Sequence, residues 1–239
     1  MKNKYELIAM DLDGTLTQHK SKLDETNKAV LCQMAKKYKL VMIGAGGCRR
    51  IYDQMNGFPI DIVGNYGIQQ STIENGEFKI IRNDKYEIDK GWFEDVISSL
   101  RQLTGYTDFV GESVEFHESG LVTFPLIGTK AILDDKLRFD PDGKKRSAIY
   151  DLVAGSFPGY NCFIGGTSSF DIPKQQYNKY DALMNYAEKY GIMKEQILFL
   201  GDDFKKGGND EHIKLNHVDY IKIDDYRDLG VILKREHII

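Results

Sequence analysis

Apolar residues fall in short blocks separated by polar or amphipathic stretches, and the order of those blocks defines the fold. Leu7-Ile8-Ala9-Met10 is a continuous apolar run bounded by polar residues, which reads as a buried strand. Lys22 to Tyr38 carries apolar or small residues at Ala29, Val30, Met34 and Ala35, with Asp24 placed to cap its start, and predicts an amphipathic helix. Leu40-Val41-Met42-Ile43 predicts a second buried strand, Arg49 to Met55 a helix, and Ile60 to Val63 a third strand. This alternation is that of a doubly wound parallel sheet.

Between about Asn83 and Pro173 the rhythm breaks. A helix is expected around Trp92, Phe93, Val96, Ile97 and Leu100, strands at Val114 to Phe116 and Leu121 to Phe124, and a helix at Arg146 to Gly155. Strands at Cys162 to Ile164 and Ser169 to Ile172 complete an α+β pattern. Alternation then resumes with a helix at Lys179 to Tyr190, a strand at Ile197 to Leu200 and a last strand at Tyr220 to Ile223. The expected architecture is an α/β, Rossmann-like core from residues 1–82 and 174–239, with an α+β domain of residues 83–173 inserted in it.

With 239 residues, 41% of them hydrophobic, the chain can build a substantial core without cross-links. A net charge of −4 with interspersed signs predicts no nucleic-acid partner, and Lys144-Lys145-Arg146 is expected to be a solvated helix start, with contact to an anionic substrate as the alternative. Cys32, Cys48 and Cys162 are widely spaced and form no CxxC pair, so each is expected to be a buried apolar residue in a reducing compartment. The first residues show no signal-peptide pattern, and no apolar run approaches membrane-spanning length. These features predict a cytoplasmic protein with no membrane partner.

Chemistry collects at two separated strand ends. Asp11-Leu12-Asp13-Gly14-Thr15 follows the first strand, at the carboxyl end where open α/β sheets bind ligands. Residues two apart on a strand share a side, so Asp11 and Asp13 are expected to face one group, with Gly14 giving a sharp exit. A plain Asx turn is the alternative, because an Asp-Gly pair alone is a common turn. Gly201-Asp202-Asp203 ends another parallel strand, and Gly207-Gly208-Asn209-Asp210 predicts a tight loop returning Asp210 towards it, or simply a helix cap. Carboxylates gathered in one crevice call for a divalent cation, for which Mg²⁺ is the simplest choice. Lys179 can add positive charge to the same mouth, or can be an ordinary solvated helix residue.

Together, Asp11-Leu12-Asp13-Gly14-Thr15-Leu16-Thr17, the later Lys179 and Gly201-Asp202-Asp203 resemble the haloacid dehalogenase superfamily of phosphotransferases. The position of the insert is similar to the branch with an α+β cap, which includes Cof-type sugar phosphatases and eukaryotic-type phosphomannomutases. Gly165-Gly166-Thr167-Ser168-Ser169-Phe170-Asp171 and the spacing from Gly201 to Asp210 resemble the mutases in particular. The resemblance implies Asp11 as nucleophile and Asp13 as proton donor and acceptor. It also implies Mg²⁺ held by Asp11, Asp13 through its carbonyl, Asp202 and the phosphate, with Lys179 balancing charge; Asp210, returned by its loop, is a further candidate metal ligand. Thr15 and turn N–H groups would grip the phosphoryl oxygens, and Ser169 and Asp171 the sugar of a small phosphorylated metabolite. The cap would close over substrate, and mutases of this kind can form homodimers through it.

The chain departs from that pattern in two places. The second strand ends Gly44-Ala45-Gly46-Gly47, with Ala45 or Gly46 where the family carries a phosphate-gripping Ser or Thr; N–H groups of Gly46 and Gly47 can still form an anion nest. The arginines with which mutases hold the distal phosphate correspond to His117, Thr129 and Lys136 in the cap and Lys20 after the first motif. Lysine offers a point charge where arginine offers a planar fork. Lys130, Lys136 and Arg138 are candidate substitutes. The expected function is therefore a Mg²⁺-dependent phosphatase for small, sugar-type phosphate monoesters, working through an aspartyl-phosphate. The alternatives are a phosphomannomutase-like sugar-phosphate isomerase and a non-catalytic phospho-ligand-binding homologue.

Overall fold

The computed structural model describes residues 4–239. The first apolar block forms β1 (Leu7–Met10), buried throughout. It leads into α1 (Glu25–Met34), shorter than its apolar pattern suggested. Asp24 caps its start, its side chain accepting from the Asn27 N–H, and the helix ends at Ala35, ahead of the exposed Lys36-Lys37 pair. Then follow β2 (Lys39–Ile43), α2 (Cys48–Gln54) and β3 (Asp61–Gly64).

A hairpin of β4 (Gln69–Glu74) and β5 (Glu77–Asn83) extends the sheet edge, and the apolar pattern had not announced it. Gln69-Gln70-Ser71-Thr72 lacks a continuous apolar run. The turn was nonetheless signalled by Asn75-Gly76, whose φ values of 53° and 80° suit the twist of a two-residue hairpin.

The middle of the chain contributes α3 (Lys90–Thr104), β6 (Glu115–Phe116), β7 (Val122–Pro125), α4 (Leu133–Phe139), α5 (Lys144–Gly155), β8 (Phe163–Gly165) and β9 (Ser169–Ile172). The chain returns through α6 (Lys179–Lys189), β10 (Ile197–Gly201), α7 (Glu211–Leu215), β11 (Asp219–Lys222) and α8 (Leu229–Arg235). It forms two compact units. One comprises the described residues up to Asn83 with Asn178–Lys205 and Asp210–Ile239; the other comprises Asp84–Tyr177 with Lys206–Asn209.

In the first unit the sheet order is β11-β10-β1-β2-β3-β4-β5, parallel from β11 to β3 and antiparallel at the hairpin edge. Alternate strand residues feed two apolar layers. Ile8, Met10, Met42, Ile62, Leu198 and Leu200 pack with α1, α2 and α8; Leu7, Ala9, Val41, Ile43 and Phe199 pack with α6 and α7. The chain winds outward from β1 to β3 and returns on the opposite side as β10, so the order reverses between β1 and β10, where such sheets bind ligands.

In the second unit an antiparallel sheet, β6-β7-β9-β8, shares one core with α3 and α5 through Phe93, Ile97, Leu100, Phe124, Val153 and Phe170. The loop at 206–209 folds with this unit, as the Gly207 carbonyl accepts from the Ile164 N–H at 2.8 Å and Lys206 pairs with Asp151.

Two sequence expectations are corrected. Arg146 is not part of a solvated helix start: its Nε donates to Asp140 Oδ2 at 2.8 Å and its Nη1 to the Gly165 and Gly166 carbonyls, all with the side chain buried. Cys32 is exposed rather than buried, because it faces outward from α1 between the buried Leu31 and Met34; Cys48 and Cys162 are buried as expected. Among the described residues, no helix is long and apolar enough to cross a membrane.

Candidate active site

Adjacency of β1 and β10 brings the two acidic strand ends together. Met10 pairs with Leu200 in register, and the Asp11 N–H donates to the Leu200 carbonyl at 2.9 Å. Asp11, Asp202 and Asp210 thereby present carboxylate oxygens within 4.8 Å of one another. Gly14 is required at the intervening turn. Its φ of +93° disfavours other residues, and a Cβ there would lie 2.5 Å from Asp202 Oδ2.

Lys179 opens α6 immediately after its cap, Asn178, which accepts from the Asp181 N–H. The Lys179 side chain is fully buried and donates to Asp11 Oδ1 and Asp210 Oδ1, each at 2.7 Å. The solvated-helix alternative is thus excluded. Burial alone would lower its pKa, but the charges and hydrogen bonds of Asp11 and Asp210 outweigh this and raise it, so Lys179 stays protonated.

Asp210 is where α7 starts, yet its side chain makes no capping bond to that helix. Instead Oδ2 accepts from the N–H groups of Asp202 and Asp203 at 3.2 and 3.1 Å. It therefore fastens the second acidic turn. Burial, then repulsion from neighbouring carboxylates, raises Asp11 and Asp202 above the usual carboxylate range, although Lys179 pulls both down.

Asp11 and Asp13 bond to separate partners. Asp13 Oδ1 accepts from Gln54 Nε2 at 2.7 Å and the Lys20 N–H at 2.8 Å, and Oδ2 from Arg50 Nη1 at 3.1 Å. Burial opposes its ionisation, but these donors prevail and lower its pKa. Gln54 and Arg50 were missed by sequence reasoning, although their spacing of four residues on a helix places them on one face. Thr15 is buried and its hydroxyl donates to Asp202 Oδ1 at 3.2 Å. The N–H groups of Gly46 and Gly47 have no acceptor among the described residues.

The remaining candidates lie in the second unit. Ser169 and Asp171 alternate along β9 and so share a face; Ser169 Oγ donates to the Gly165 carbonyl at 3.1 Å. Asp171 Oδ1 accepts from Thr123 Oγ1 at 3.1 Å, and that hydroxyl also meets His117 Nε2 at 3.0 Å. Lys136 donates to the Thr129 carbonyl at 3.3 Å, and Arg138 pairs with Asp134 on the surface of α4.

A divalent cation fits the donor set of the first unit. Asp11 Oδ2 and Asp202 Oδ2 accept no hydrogen bond among the described residues, although both carboxyl groups are largely removed from solvent and each is raised in pKa by burial and by the charge of Asp210. Two such oxygens beside a third acid match a small, hard cation with oxygen ligands, such as Mg²⁺.

The chain belongs to the haloacid dehalogenase-like hydrolase family, whose pattern matches residues 8–210. It is 26% identical to a phosphomannomutase of Encephalitozoon cuniculi across 96% of this chain and 94% of that protein. It is 24% identical to the phosphomannomutase of Saccharomyces cerevisiae across 87% and 84% of the respective chains. By fold it resembles IMP-bound IMP-nucleotidase of Plasmodium falciparum, with a TM-score of 0.66, 12% identity and coverage of 98% of this chain and 68% of that one. It also resembles a phosphatase of the haloalkanoate (HAD) superfamily from Bacteroides thetaiotaomicron, with a TM-score of 0.61, 14% identity and coverage of 98% and 96%.

Proposed function

We propose that the protein is a Mg²⁺-dependent phosphatase that hydrolyses small phosphate monoesters, sugar phosphates in particular, through an aspartyl-phosphate on Asp11. The observation that carries this reading is the Asp11 carboxylate itself, held by Lys179 through Oδ1 while Oδ2 accepts no hydrogen bond among the described residues. The Asp11 carboxylate is the group to attack phosphorus, forming the aspartyl-phosphate as the ester P–O bond breaks. Lys179 keeps Asp11 ionised and fixed during the attack, and its charge opposes the negative charge spreading over the phosphoryl oxygens.

Asp13 is the proton-transfer group. In the first half-reaction a proton passes through it to the departing ester oxygen. In the second, its ionised form accepts a proton from the water that attacks phosphorus, as the Asp11 O–P bond breaks to release phosphate and restore the Asp11 carboxylate. Three donors favour the ionised form, which suits the hydrolytic half-reaction. Asp11, Asp202 and Asp210 would hold Mg²⁺, with Asp13 adding its carbonyl. When bound, the ion would polarise the phosphoryl group and relieve the repulsion among these carboxylates. In the same reading the second unit serves as cap, with Ser169 and Asp171 recognising sugar hydroxyls and Lys136 a more distant anionic group.

The full-length similarity to phosphomannomutases supports a second reading, in which a sugar hydroxyl replaces water as acceptor. His117, Thr129 and Lys136 in place of mutase arginines weigh against it, since a bisphosphorylated intermediate needs firm binding at both ends. The two readings separate in one incubation with mannose 1-phosphate, Mg²⁺ and a hexose bisphosphate activator. Hydrolysis predicts free phosphate accumulating with little mannose 6-phosphate. Stoichiometric mannose 6-phosphate without phosphate release would establish the mutase instead.

A further inference from the structure

The turn after β2 lacks a hydroxyl, and the space that residue 46 would use is filled from elsewhere. A Cβ built on Gly46 would lie 2.0 Å from Arg50 Nη2 and 2.4 Å from its Nε, so the guanidinium rests against the Cα of Gly46, where a Ser or Thr side chain would stand. Arg50 projects from α2, and its Nη1 donates to Asp13 Oδ2 at 3.1 Å and Gln54 Oε1 at 3.3 Å. Its Nε and Nη2 donate to no acceptor among the described residues, and the side chain is 48% exposed. The guanidinium is thus anchored on one side by the proton-transfer carboxylate and presents unused donors on the other.

We propose that Arg50 is a phosphoryl-binding residue, supplying through Nε and Nη2 the hydrogen bonds that a hydroxyl at position 46 would otherwise give. This rests on the phosphatase reading and adds to it the means of phosphate capture. A guanidinium matches phosphoryl oxygens with two parallel donors and a permanent charge, which compensates for the lost hydroxyl. Gly46 is then a requirement of the arrangement: a side chain there would push the guanidinium away. The Gly46 and Gly47 N–H groups, which lack acceptors, lie in the same turn and can share the phosphoryl oxygens. A simple ion pair between Arg50 and Asp13, both partly exposed, would leave anion affinity to the other donors and make Gly46 irrelevant.

The test is calorimetric binding of orthovanadate, a phosphoryl mimic, in the presence of Mg²⁺. Circular dichroism checks that each variant keeps its fold. Arg50→Ala is expected to weaken vanadate binding by about 10–100-fold, the scale of one lost charge-assisted hydrogen bond. Arg50→Lys, which keeps charge without the fork, is expected to fall between Arg50→Ala and wild type. The double variant Gly46→Ser/Arg50→Ala restores the hydroxyl and is expected to regain at least several-fold over Arg50→Ala. Affinity of Arg50→Ala within about twofold of wild type would overturn the proposal while leaving the phosphatase reading intact. A loss that the double variant does not recover would also overturn it, assigning Arg50 to the support of Asp13. Wild-type protein that neither binds vanadate nor releases phosphate from any ester would remove the phosphatase reading and this proposal together.

Discussion

Replacing Lys179 by Met tests how the site is held together. The ammonium is fully buried between Asp11 and Asp210, whose side chains are 7% and 0% exposed, and it reaches each at 2.7 Å. At an effective dielectric constant of ~20, each contact is worth about 6 kcal/mol of attraction before desolvation. Burying the charges takes much of this back, and removing one partner of such a pair leaves a net loss of about 3–5 kcal/mol. For a chain of this size that corresponds to a fall in Tm of about 6–20 °C. The assay is thermal and urea unfolding followed by circular dichroism, with Lys189→Met on the exposed face of the same helix as the control, expected within about 0.5 kcal/mol of wild type. Without the lysine, repulsion among Asp11, Asp202 and Asp210 grows. The loss should therefore shrink on acidification, as the carboxylates protonate, and on addition of Mg²⁺. A change below about 1 kcal/mol, or one indifferent to both pH and Mg²⁺, would refute the reasoning.

Asp202 gives a pH prediction with a definite sign. Burial and neighbouring carboxylates raise it from 3.8 to about 8, so between those values the folded state keeps a proton that the unfolded chain has released. Metal-free protein should therefore lose stability in urea melts as pH rises from about 4 to about 8, and Asp202→Asn should flatten the slope; stability rising over that interval contradicts the assignment. In the second unit, Arg146→Met strands the buried Asp140 carboxylate, and a loss of about 3–5 kcal/mol is expected. Fluorescence of Trp92, the chain's one tryptophan, should report that unfolding, because it packs on Phe157 and Tyr160 in the same unit. Asp140→Asn combined with Arg146→Met should recover part of the loss, and no recovery would mean that packing rather than charge dominates.

The parallel core was legible because its strands are buried on both faces, so β1, β2 and β10 appear as unbroken apolar runs. Edge elements hid for the complementary reason. The β4–β5 hairpin and α4 bury little: β5 has no buried residue and Leu133 and Leu137 are exposed, so neither leaves a clear period in the sequence. At the site, Asp11 and Asp202 were readable from their places at strand ends. Lys179 and Asp210 had credible alternatives as surface residue and cap until the fold buried both. Arg50 and Gln54 carried a helical spacing but no local sign of what they face; Asp13 lies about forty residues away, and only the β1–β2 pairing brings the two turns together. Arg146 was misread because a run of basic residues conceals the one that turns inward.

The central claim is that Asp11 takes up the phosphoryl group. Its most direct test is Mg²⁺-dependent phosphate release from a panel of sugar phosphates by wild type and by Asp11→Asn, with circular dichroism of both. Asn keeps the shape but removes the nucleophilic carboxylate, so turnover should vanish from the variant while its fold persists. Phosphate release by a folded Asp11→Asn protein at the wild-type rate would contradict the account.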